Sequence, residues 1–337
     1  MPSSKTTLKD LAAHLGLAHS TVSRALSNHD AISQDTKDRV RHAARQYGYV
    51  ANSGARLLRT GHSQTVGLLV PDIVNEFYAT IAKNLADDCS QRGHQLMLLV
   101  SDDDPQRELK LLQALLETRP AGVVVALTAV PRKETLSHLA GVRCIQFLRV
   151  HAKVQGLTVG ADDAAAARMA IEHLLSLGHR AIGYVGVSEA LSTGAARLRG
   201  YKETLEEAGV APDPALIALI EPSVQGGARA AAQLMDRSPR PTALFLSSPQ
   251  LALGGAQWLN AAKLRVPGDV SVISYGNSSW FDLWGSGLTA VSLPIQELAA
   301  TASALLFRES GEELSGQTSV LLAPSLVKRG STARMRA

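Results

Sequence analysis

From Gln64 onward, short runs of β-branched and aliphatic residues alternate with stretches that have the period of an amphipathic helix. The runs are TVGLLV, QLMLLV, AGVVVA, RCIQF, AIGYVG, TALFLS and VSVISY. This alternation is typical of parallel sheets with helices on both faces. The ~270 residues that carry it are too many for one ordinary sheet, so we predict two similar α/β lobes.

The first 50 residues have helical spacing instead. Thr7 can cap a first helix that Gly16 ends, and a second short helix follows Ala18. The apolar residues of the first helix are Leu8, Leu11, Ala12 and Leu15, and those of the second are Val22, Ala25 and Leu26. Two short helices across a glycine-containing turn form a helix-turn-helix.

A third helix is predicted to begin at Ser33, with Asp35 in its first turn, and to end at Gly48. Its inward-facing residues are expected to be Val40, Ala43, Ala44 and Tyr47. The three helices make residues 1–50 an all-α headpiece. Residues 51–62 then form a linker to the α/β body at 63–333.

Charge is unevenly distributed along the chain. Residues 1–62 hold nine lysines and arginines against four acidic residues, while the whole chain has a formal net charge of +4, so the body is close to neutral. A small basic module on a near-neutral body is expected where one end meets a polyanion. Charge alone leaves a merely solvated basic surface as an equal alternative.

Composition and motifs exclude several classes of protein. The chain is 45% hydrophobic and 19% charged, without an apolar run that could span a bilayer, and its polar N-terminus predicts a cytoplasmic protein. Cys89 and Cys144 lack metal-ligand neighbours, and we interpret both as reduced, buried thiols. Without a Walker A lysine loop, a GxSxG or an HExxH motif, no catalytic residue, metal or cofactor is expected.

Several segments spread along the chain carry a more specific pattern. They are TLKDLA at 7–12, STVSRAL at 20–26, RQYGY at 45–49, LRTG at 58–61, VPDI at 70–73, HLLSLGHR at 173–180, RVPGDVS at 265–271 and LVKRGST at 326–332. With these segments the chain resembles the lac repressor/galactose repressor family from about Thr6 to Ala333.

The resemblance implies a repressor that acts as a homodimer on a pseudo-palindromic operator in double-stranded DNA. It also implies a small-molecule effector bound between two periplasmic-binding-protein-like lobes. We expect the first lobe at about 63–161 plus 291–318, and the second at about 162–290 plus 319–333.

The second helix is the candidate DNA-reading element. Its N-terminal half would enter the major groove, where arginine can bond bidentately to guanine, so we expect His19, Ser20 and Arg24 to read bases. The resemblance implies contacts with phosphates or groove walls from Thr7, Thr21, Ser23, Ser33, Tyr49 and Asn52. The alternative for Ser20 and Thr21 is a capping role. Because Ala18 stands where the family usually has a capping serine, we expect this helix to begin one or two residues late.

The resemblance also implies a hinge helix in residues 51–62 that orders on the minor groove. Its contacting positions are Ala55, Arg56 and Leu58. The hinge departs from the family pattern at Ala51, Gly54 and Leu57, where proline, a larger aliphatic residue and serine are usual. Because glycine inside a helix costs about 1 kcal/mol relative to alanine, we expect this hinge to be disordered without DNA.

Ligands of two-lobed domains bind in the crevice at the carboxyl ends of parallel strands. The family's positions there correspond to Phe77, Tyr78, Arg149, Thr193, Arg197, Ile220, Ser248 and Gly276. Arg197, in the segment RLRGY, matches the family's cleft arginine, and its alternative role is a structural pairing with a neighbouring acid. Trp280 is a further candidate; it and Trp284 are alternatively core or dimer-contact aromatics.

Departures from the family pattern bear on the effector. Sugar-binding members have acidic or amide groups at positions taken here by Leu148, Ser248, Pro249, Gly276 and Leu293. Two arginines with few carboxylates favour an anionic effector, an organic acid or sugar acid, over a neutral sugar, because arginine binds planar carboxylates bidentately. The alternative for the whole chain is a solute-binding receptor of a transport system, which the helix-turn-helix disfavours.

Overall fold

In the computed structural model the chain forms two compact units, Met1–Ser63 and Gln64–Ala337. The structure describes residues 6–27, 29–49, 63–308 and 319–335. Within these ranges, no helix combines the length and apolar character needed to cross a membrane. The whole linker, residues 51–62, with the expected hinge helix and its candidate contacts Asn52, Ala55, Arg56 and Leu58, lies outside the described residues.

The first unit is a helical headpiece. Its helices are α1 (Leu8–Leu15), α2 (His19–Leu26) and α3 (Gln34–Gln46). They pack around a buried cluster of Leu11, Ala12, Val22, Ala25, Val40, Ala43 and Ala44. These positions follow the helical spacing of the sequence, and the predicted helix-turn-helix with its third helix is confirmed.

Helix α1 is delimited at both ends by local chemistry. The Thr7 hydroxyl accepts from the Asp10 amide at 3.3 Å, and the Asp10 carboxylate accepts from the Thr7 amide at 2.9 Å, which forms a capping box. The Thr7 hydroxyl also donates to the Asp10 carboxylate at 2.7 Å, and this bond, together with the one from the Thr7 amide, holds the pKa of Asp10 below its ordinary value. At the other end, Gly16 has φ +63°, a left-handed conformation that glycine adopts without steric cost.

Two local expectations for the headpiece are wrong. Helix α2 begins at His19 without delay, because the Ala18 carbonyl already accepts from the Thr21 and Val22 amides although its side chain caps nothing. Tyr47 does not face inward: it is 40% exposed and stacks on His14, with ring centroids 4.4 Å apart. Since α3 ends at Gln46, Tyr47 falls outside the helical period.

The uncapped start of α2 yields a first prediction. Ala18 has the extended backbone of a capping residue, so Ala18→Ser should add the missing bond and stabilise the helix by about 1 kcal/mol. Amide hydrogen exchange over residues 19–26 should then slow about fivefold. Ala13→Ser, at an exposed position inside α1, is the control and should bring no protection; equal exchange in both variants would contradict the prediction.

The second unit is the α/β body. Its helices are α4 (Glu76–Gln91), α5 (Pro105–Glu117), α6 (Lys133–Leu139), α7 (Asp163–Ser176), α8 (Ser192–Glu207), α9 (Val224–Met235), α10 (Pro249–Ala261) and α11 (Ile295–Leu306). Its strands are β1 (Thr65–Val70), β2 (Gln95–Val100), β3 (Gly122–Val125), β4 (Cys144–Phe147), β5 (Leu157–Ala161), β6 (Ile182–Gly186), β7 (Ile217–Leu219), β8 (Ala243–Leu246), β9 (Ser271–Tyr275), β10 (Thr289–Ser292), β11 (Ser319–Leu322) and β12 (Ser325–Val327). Every apolar run singled out in the sequence forms one of these strands.

The strands form two six-stranded sheets with equivalent strand orders, which differ in the direction of one edge strand. One has the order β11-β5-β4-β3-β1-β2 and is parallel throughout; the other has the order β12-β10-β9-β8-β6-β7, with β12 antiparallel to β10. We call the halves built on these sheets the N-terminal lobe and the C-terminal lobe. In each, the order reverses beside the first strand, so a crevice forms at the carboxyl ends of the strands.

The chain crosses between lobes at points that differ from those expected. Residues 319–322, expected in the C-terminal lobe, form β11 and pair with β5 of the N-terminal lobe, whose edge would otherwise be open. Residues 291–292, expected in the N-terminal lobe, belong to β10 of the C-terminal lobe. The final crossover therefore follows Leu322.

The central strands are buried on both faces. Residues of β3, β4, β6, β8 and β9 are all buried, as expected of parallel sheets covered by helices. Cys89 and Cys144 are free and buried, in agreement with the sequence interpretation. Burial raises the pKa of Cys89 to about 11 and that of Cys144 to about 12, so both thiols are protonated at neutral pH.

Helices α9 and α10 approach each other closely through glycine. A Cβ added at Gly254 would lie 1.9 Å from the Val224 carbonyl oxygen, which belongs to the backbone of α9. At the neighbouring Gly255 the nearest atom is a side-chain methyl of Leu246 at 3.0 Å. The backbone of a packed helix cannot move aside as easily as the end of a side chain. A Cβ is therefore tolerated less well at Gly254 than at Gly255.

We therefore expect Gly254→Ala to lower the free energy of unfolding by about 1–3 kcal/mol through overpacking. Alanine's higher helix propensity, worth about 1 kcal/mol, offsets only part of this. Denaturant unfolding measures the change. Gly255→Ala is the matched control and should be close to neutral; equal losses in the two variants would show that the α9–α10 contact is not the cause.

Candidate functional sites

The first site is the outer face of α2. His19, Ser20 and Arg24 are exposed, whereas Val22 and Ala25 on the opposite face are buried in the headpiece core. Thr21 and Ser23 are half-buried at the border between the two faces. Since Ala18 is the N-cap of α2, capping is not the role of Ser20 or Thr21. The polar side chains of α2 are thus available for an external partner.

Three of the other expected DNA contacts, Thr7, Ser33 and Tyr49, lie outside α2. Thr7 and Ser33 are the capping residues of α1 and α3, and Ser33 accepts from the Thr36 amide at 3.3 Å. Tyr49 is half-buried against the headpiece core. The capping role of Ser33 was not predicted from the sequence. Both hydroxyls thus belong to helix N-termini, whose amide groups and dipoles favour anions.

The second site is a cleft between the lobes of the body. It encloses about 660 Å³, including the solvent at its mouth. Of the residues singled out from the sequence, Phe77, Tyr78, Arg149, Thr193, Arg197, Ser248 and Gly276 line it. Six further lining residues were not predicted from the sequence: Asn75, Val187, Leu191, Pro222, Gln250 and Tyr275. Nearly all of these follow the carboxyl end of a strand, which is the signal that could have identified them.

Two expected cleft residues pack elsewhere. Ile220 and Trp280 are not among the cleft-lining residues and pack instead against the core of the C-terminal lobe. Trp280 lies in a short 3₁₀ turn, edge to face with Phe281, with ring centroids 4.6 Å apart. Trp280 is half-buried and packs against the core of the C-terminal lobe, which agrees with the core alternative named from the sequence.

Arg197 is held tightly in the C-terminal wall of the cleft. Its Nε donates to Asp163 at 2.7 Å, its Nη1 donates to the Ser247 carbonyl at 2.8 Å, and its guanidinium lies 3.6 Å from the centroid of the Tyr275 ring. The Tyr275 hydroxyl donates to the same Asp163 oxygen at 2.7 Å. Burial opposes the charge of Arg197, but the Asp163 carboxylate outweighs it and raises the pKa of the guanidinium above its ordinary value.

Arg149 has an equivalent arrangement in the N-terminal wall. Its two terminal nitrogens donate to the two carboxylate oxygens of Asp103, with Nη2 at 3.1 Å from Oδ2. Nη1 also donates to the Leu127 carbonyl at 3.0 Å. The fork is thus already occupied by a carboxylate of the protein.

These pairs correct the premise that the arginines lie among few carboxylates. Asp103 and Asp163 each neutralise one arginine, and neither was identified from the sequence. Asp103 follows β2 and Asp163 follows β5, so both lie at carboxyl ends of strands of the N-terminal sheet. Their partners are 46 and 34 residues away, a separation that residue spacing does not reveal.

Two hydrogen bonds join the lobes beside the cleft. The Glu76 carboxylate of the N-terminal lobe accepts from the Ser279 amide of the C-terminal lobe at 3.1 Å. The Ser192 hydroxyl of the C-terminal lobe accepts from the Val150 amide at 2.8 Å. Each lies next to cleft-lining residues, so the separation of the lobes and the shape of the cleft are coupled. The arrangement suits reversible binding of a small molecule with an apolar body.

Comparison with known proteins gives consistent results for both units. Residues 7–52 match the model of bacterial regulatory proteins of the lacI family, and residues 171–332 match a periplasmic binding protein-like domain. The transcriptional regulator DegA of Bacillus subtilis (strain 168) is 30% identical over 334 residues, covering 97% of this chain and 98% of DegA. The transcriptional repressor CytR of Escherichia coli (strain K12) is 29% identical over 327 residues, covering 97% and 96%.

Solved structures support the same fold. The lac repressor dimer bound to operator and the anti-inducer ONPF superimposes with a TM-score of 0.83 at 22% identity, over 98% of this chain and 99% of that one. The complex of the transcriptional regulator CelR with cellobiose has a TM-score of 0.72 at 27% identity, over 96% and 99%. The curated relatives are transcriptional regulators rather than enzymes. The chain belongs to the lacI family of bacterial regulatory proteins and is an effector-controlled, DNA-binding transcriptional regulator.

Proposed function

We propose that this regulator is a cytoplasmic repressor that binds a pseudo-palindromic operator as a homodimer and is controlled by an anionic small molecule in the cleft. The observation that carries the proposal is the combination, in one chain, of an α2 with an exposed polar face and a two-lobed body with a lined cleft. The other interpretation, a transport receptor, leaves the headpiece without a role.

His19, Ser20 and Arg24 read bases from the major groove, since they share the exposed face of α2. The positioning contacts to phosphates and groove walls come from Thr7, Thr21, Ser23, Ser33, Tyr49 and Asn52, and those in the minor groove from Ala55, Arg56 and Leu58. Two-fold symmetry of the dimer matches the two half-sites of the operator.

Arg24→Ala should weaken binding to the operator by about 1–3 kcal/mol, as expected when one bidentate base contact is lost. Binding to unrelated DNA should weaken much less, because phosphate contacts remain. Fluorescence anisotropy with operator and scrambled duplexes measures both. Arg39→Ala removes the same charge from α3 and is the control, expected to affect the two duplexes equally. An operator preference that Arg24→Ala leaves intact would refute base reading by Arg24.

The cleft favours an organic acid with an apolar body. Its walls include Phe77, Leu148, Val187, Leu191 and Leu293, which suit apolar surface better than vicinal hydroxyls. In the hydrogen bonds described above, Arg197 uses Nε and Nη1, and Nη2 remains for a ligand. A ligand carboxylate would therefore form charge-assisted bonds there without displacing Asp163.

Matched pairs of ligands test this choice. We expect organic acids to raise the melting temperature of the protein more than their amides of the same shape, for example benzoate against benzamide and gluconate against gluconamide. Operator binding is then measured with each stabilising compound. If the neutral member of each pair stabilises the protein better, the effector is not an anion. The assignment of the chain as a DNA-binding regulator does not depend on this result.

The effector controls operator binding by shifting the populations of two arrangements of the lobes. The chain runs from the headpiece through the linker into β1 of the N-terminal lobe. An effector that prefers one arrangement of the lobes changes the orientation of the two N-terminal lobes in the dimer, and with it the spacing of the headpieces. The coupling is limited by the difference in effector affinity between the two arrangements.

A further inference from the structure

Backbone strain is concentrated in the N-terminal wall of the cleft. Asp102 and Asp103 have φ +53° and +55°, and Leu148 has φ +62°, a left-handed region that residues with a Cβ rarely adopt. Arg119 and Lys263 share this conformation, but each lies singly just beyond the end of a helix, where it is common. Of these residues, Asp103 belongs to the Arg149–Asp103 pair, Leu148 directly precedes Arg149, and Asp102 directly precedes Asp103.

The surroundings enforce this conformation at Asp103. The Ser101 amide donates to the Val70 carbonyl at 2.9 Å, and the Asp104 amide donates back to the Ser101 carbonyl at 3.0 Å. The Asp104 side chain then caps α5 by accepting from the Gln106 amide at 2.7 Å. The loop is thus fixed on both sides of Asp103, whose carboxylate is presented to Arg149 from a rigid support.

Leu148 is constrained in the same way. The Arg149 amide donates to the Phe147 carbonyl at 2.7 Å across Leu148, which makes a strained three-residue γ-turn. The Leu148 amide donates to Val159 at 2.7 Å. Strained residues persist where their surroundings over-determine them, and they cluster at ligand clamps.

The two ion pairs differ in how firmly the acid is held. Asp163 is 7% exposed and bonds both Arg197 and Tyr275, whereas Asp103 is 35% exposed and its bonds described here are to Arg149. Arg149 itself is 10% exposed and lines the cleft. Asp103 is therefore the acid whose charge can be removed without breaking the contacts that join Arg197, Asp163 and Tyr275.

We propose that Asp103 is a specificity-determining residue of the cleft: a built-in carboxylate that occupies the fork of Arg149 and limits the affinity of the cleft for anions. The inference rests on the proposed role of the cleft as the effector site. At this wall an anionic ligand finds the charge of Arg149 already neutralised by Asp103. It can bond only to the N–H groups of Arg149 that Asp103 does not occupy. Without the Asp103 charge, the fork of Arg149 becomes available to the ligand.

Asp103→Asn tests the proposal in the full-length protein with sulfate as the probe. Asparagine keeps the shape of aspartate and tolerates left-handed backbone, so the loop is retained. Thermal unfolding is followed over a sulfate titration at constant ionic strength. We expect the sulfate concentration that gives a fixed rise in melting temperature to fall about tenfold relative to the wild type, because one uncompensated charge then lies near the ligand.

Asp102→Asn is the matched control. It removes the same charge from the adjacent left-handed residue, but Asp102 pairs with Arg107 at an exposed position. Its response to sulfate should equal that of the wild type. Equal responses from Asp103→Asn and Asp102→Asn would overturn the proposal.

Arg149→Gln provides a second variant of opposite sign. It leaves the Asp103 charge uncompensated and should reduce the sulfate response below that of the wild type, whereas an unchanged response would count against the proposal even if Asp103→Asn did not fold. The sulfate result does not depend on which effector the wild type prefers. Failure of the acid–amide comparison and failure of this inference are therefore separate outcomes.

Discussion

The buried contact between Arg197 and Asp163 organises the C-terminal wall of the cleft. It joins the start of α7 to α8, and through Tyr275 and the Ser247 carbonyl it also fixes the ends of β9 and β8. Both charged groups are at most 10% exposed, so removing one partner would leave an unpaired buried charge, at a cost of about 3–5 kcal/mol. The carboxyl ends of the strands therefore keep one arrangement, and the shape of the cleft follows from it.

The N-terminal wall also holds an arginine–aspartate pair in place, but with different backbone structures. Arg149 and Asp103 are placed by a γ-turn and a fixed loop rather than by a helix start, and the acid is partly exposed. Tyr78 lies between the two systems: burial raises the pKa of its hydroxyl, and the charges of Arg149, Asp103, Arg197 and Asp163 all act on it. The two walls therefore share one electrostatic environment, in which each positive charge has its own counter-charge.

Hydrophobic pattern predicted the parts of the fold in which one strand or helix face is continuously apolar. The central strands met this condition, since burial on both faces requires an unbroken apolar run. The edge strands β11 and β12 did not, because they are largely accessible and mix polar with apolar residues. The crossover after Leu322 depends on which sheet has a free edge for β11, which residue pattern does not contain.

The surroundings of individual side chains were harder to predict from the sequence than the positions of helices and strands. Arg197 was placed in the cleft, but its partner was found only in the fold, because an ion pair between residues 34 positions apart has no local signature. Trp280 was a cleft candidate because it is aromatic, but it lies in a 3₁₀ turn and packs against the core of the C-terminal lobe. In the sequence Tyr47 follows the helical period, but α3 ends one residue earlier, at Gln46.

Charge compensation explains why the residue types of the cleft were a poor guide to its chemistry. Arginines counted without partners predict a strongly positive site, whereas the paired arginines form a nearly neutral one with directed N–H groups. In a low-dielectric cleft, an unpaired arginine would bind many anions strongly and with little discrimination. Counter-charges held by the protein lower that general affinity, so discrimination depends on the shape of the apolar walls and on the few donors that remain.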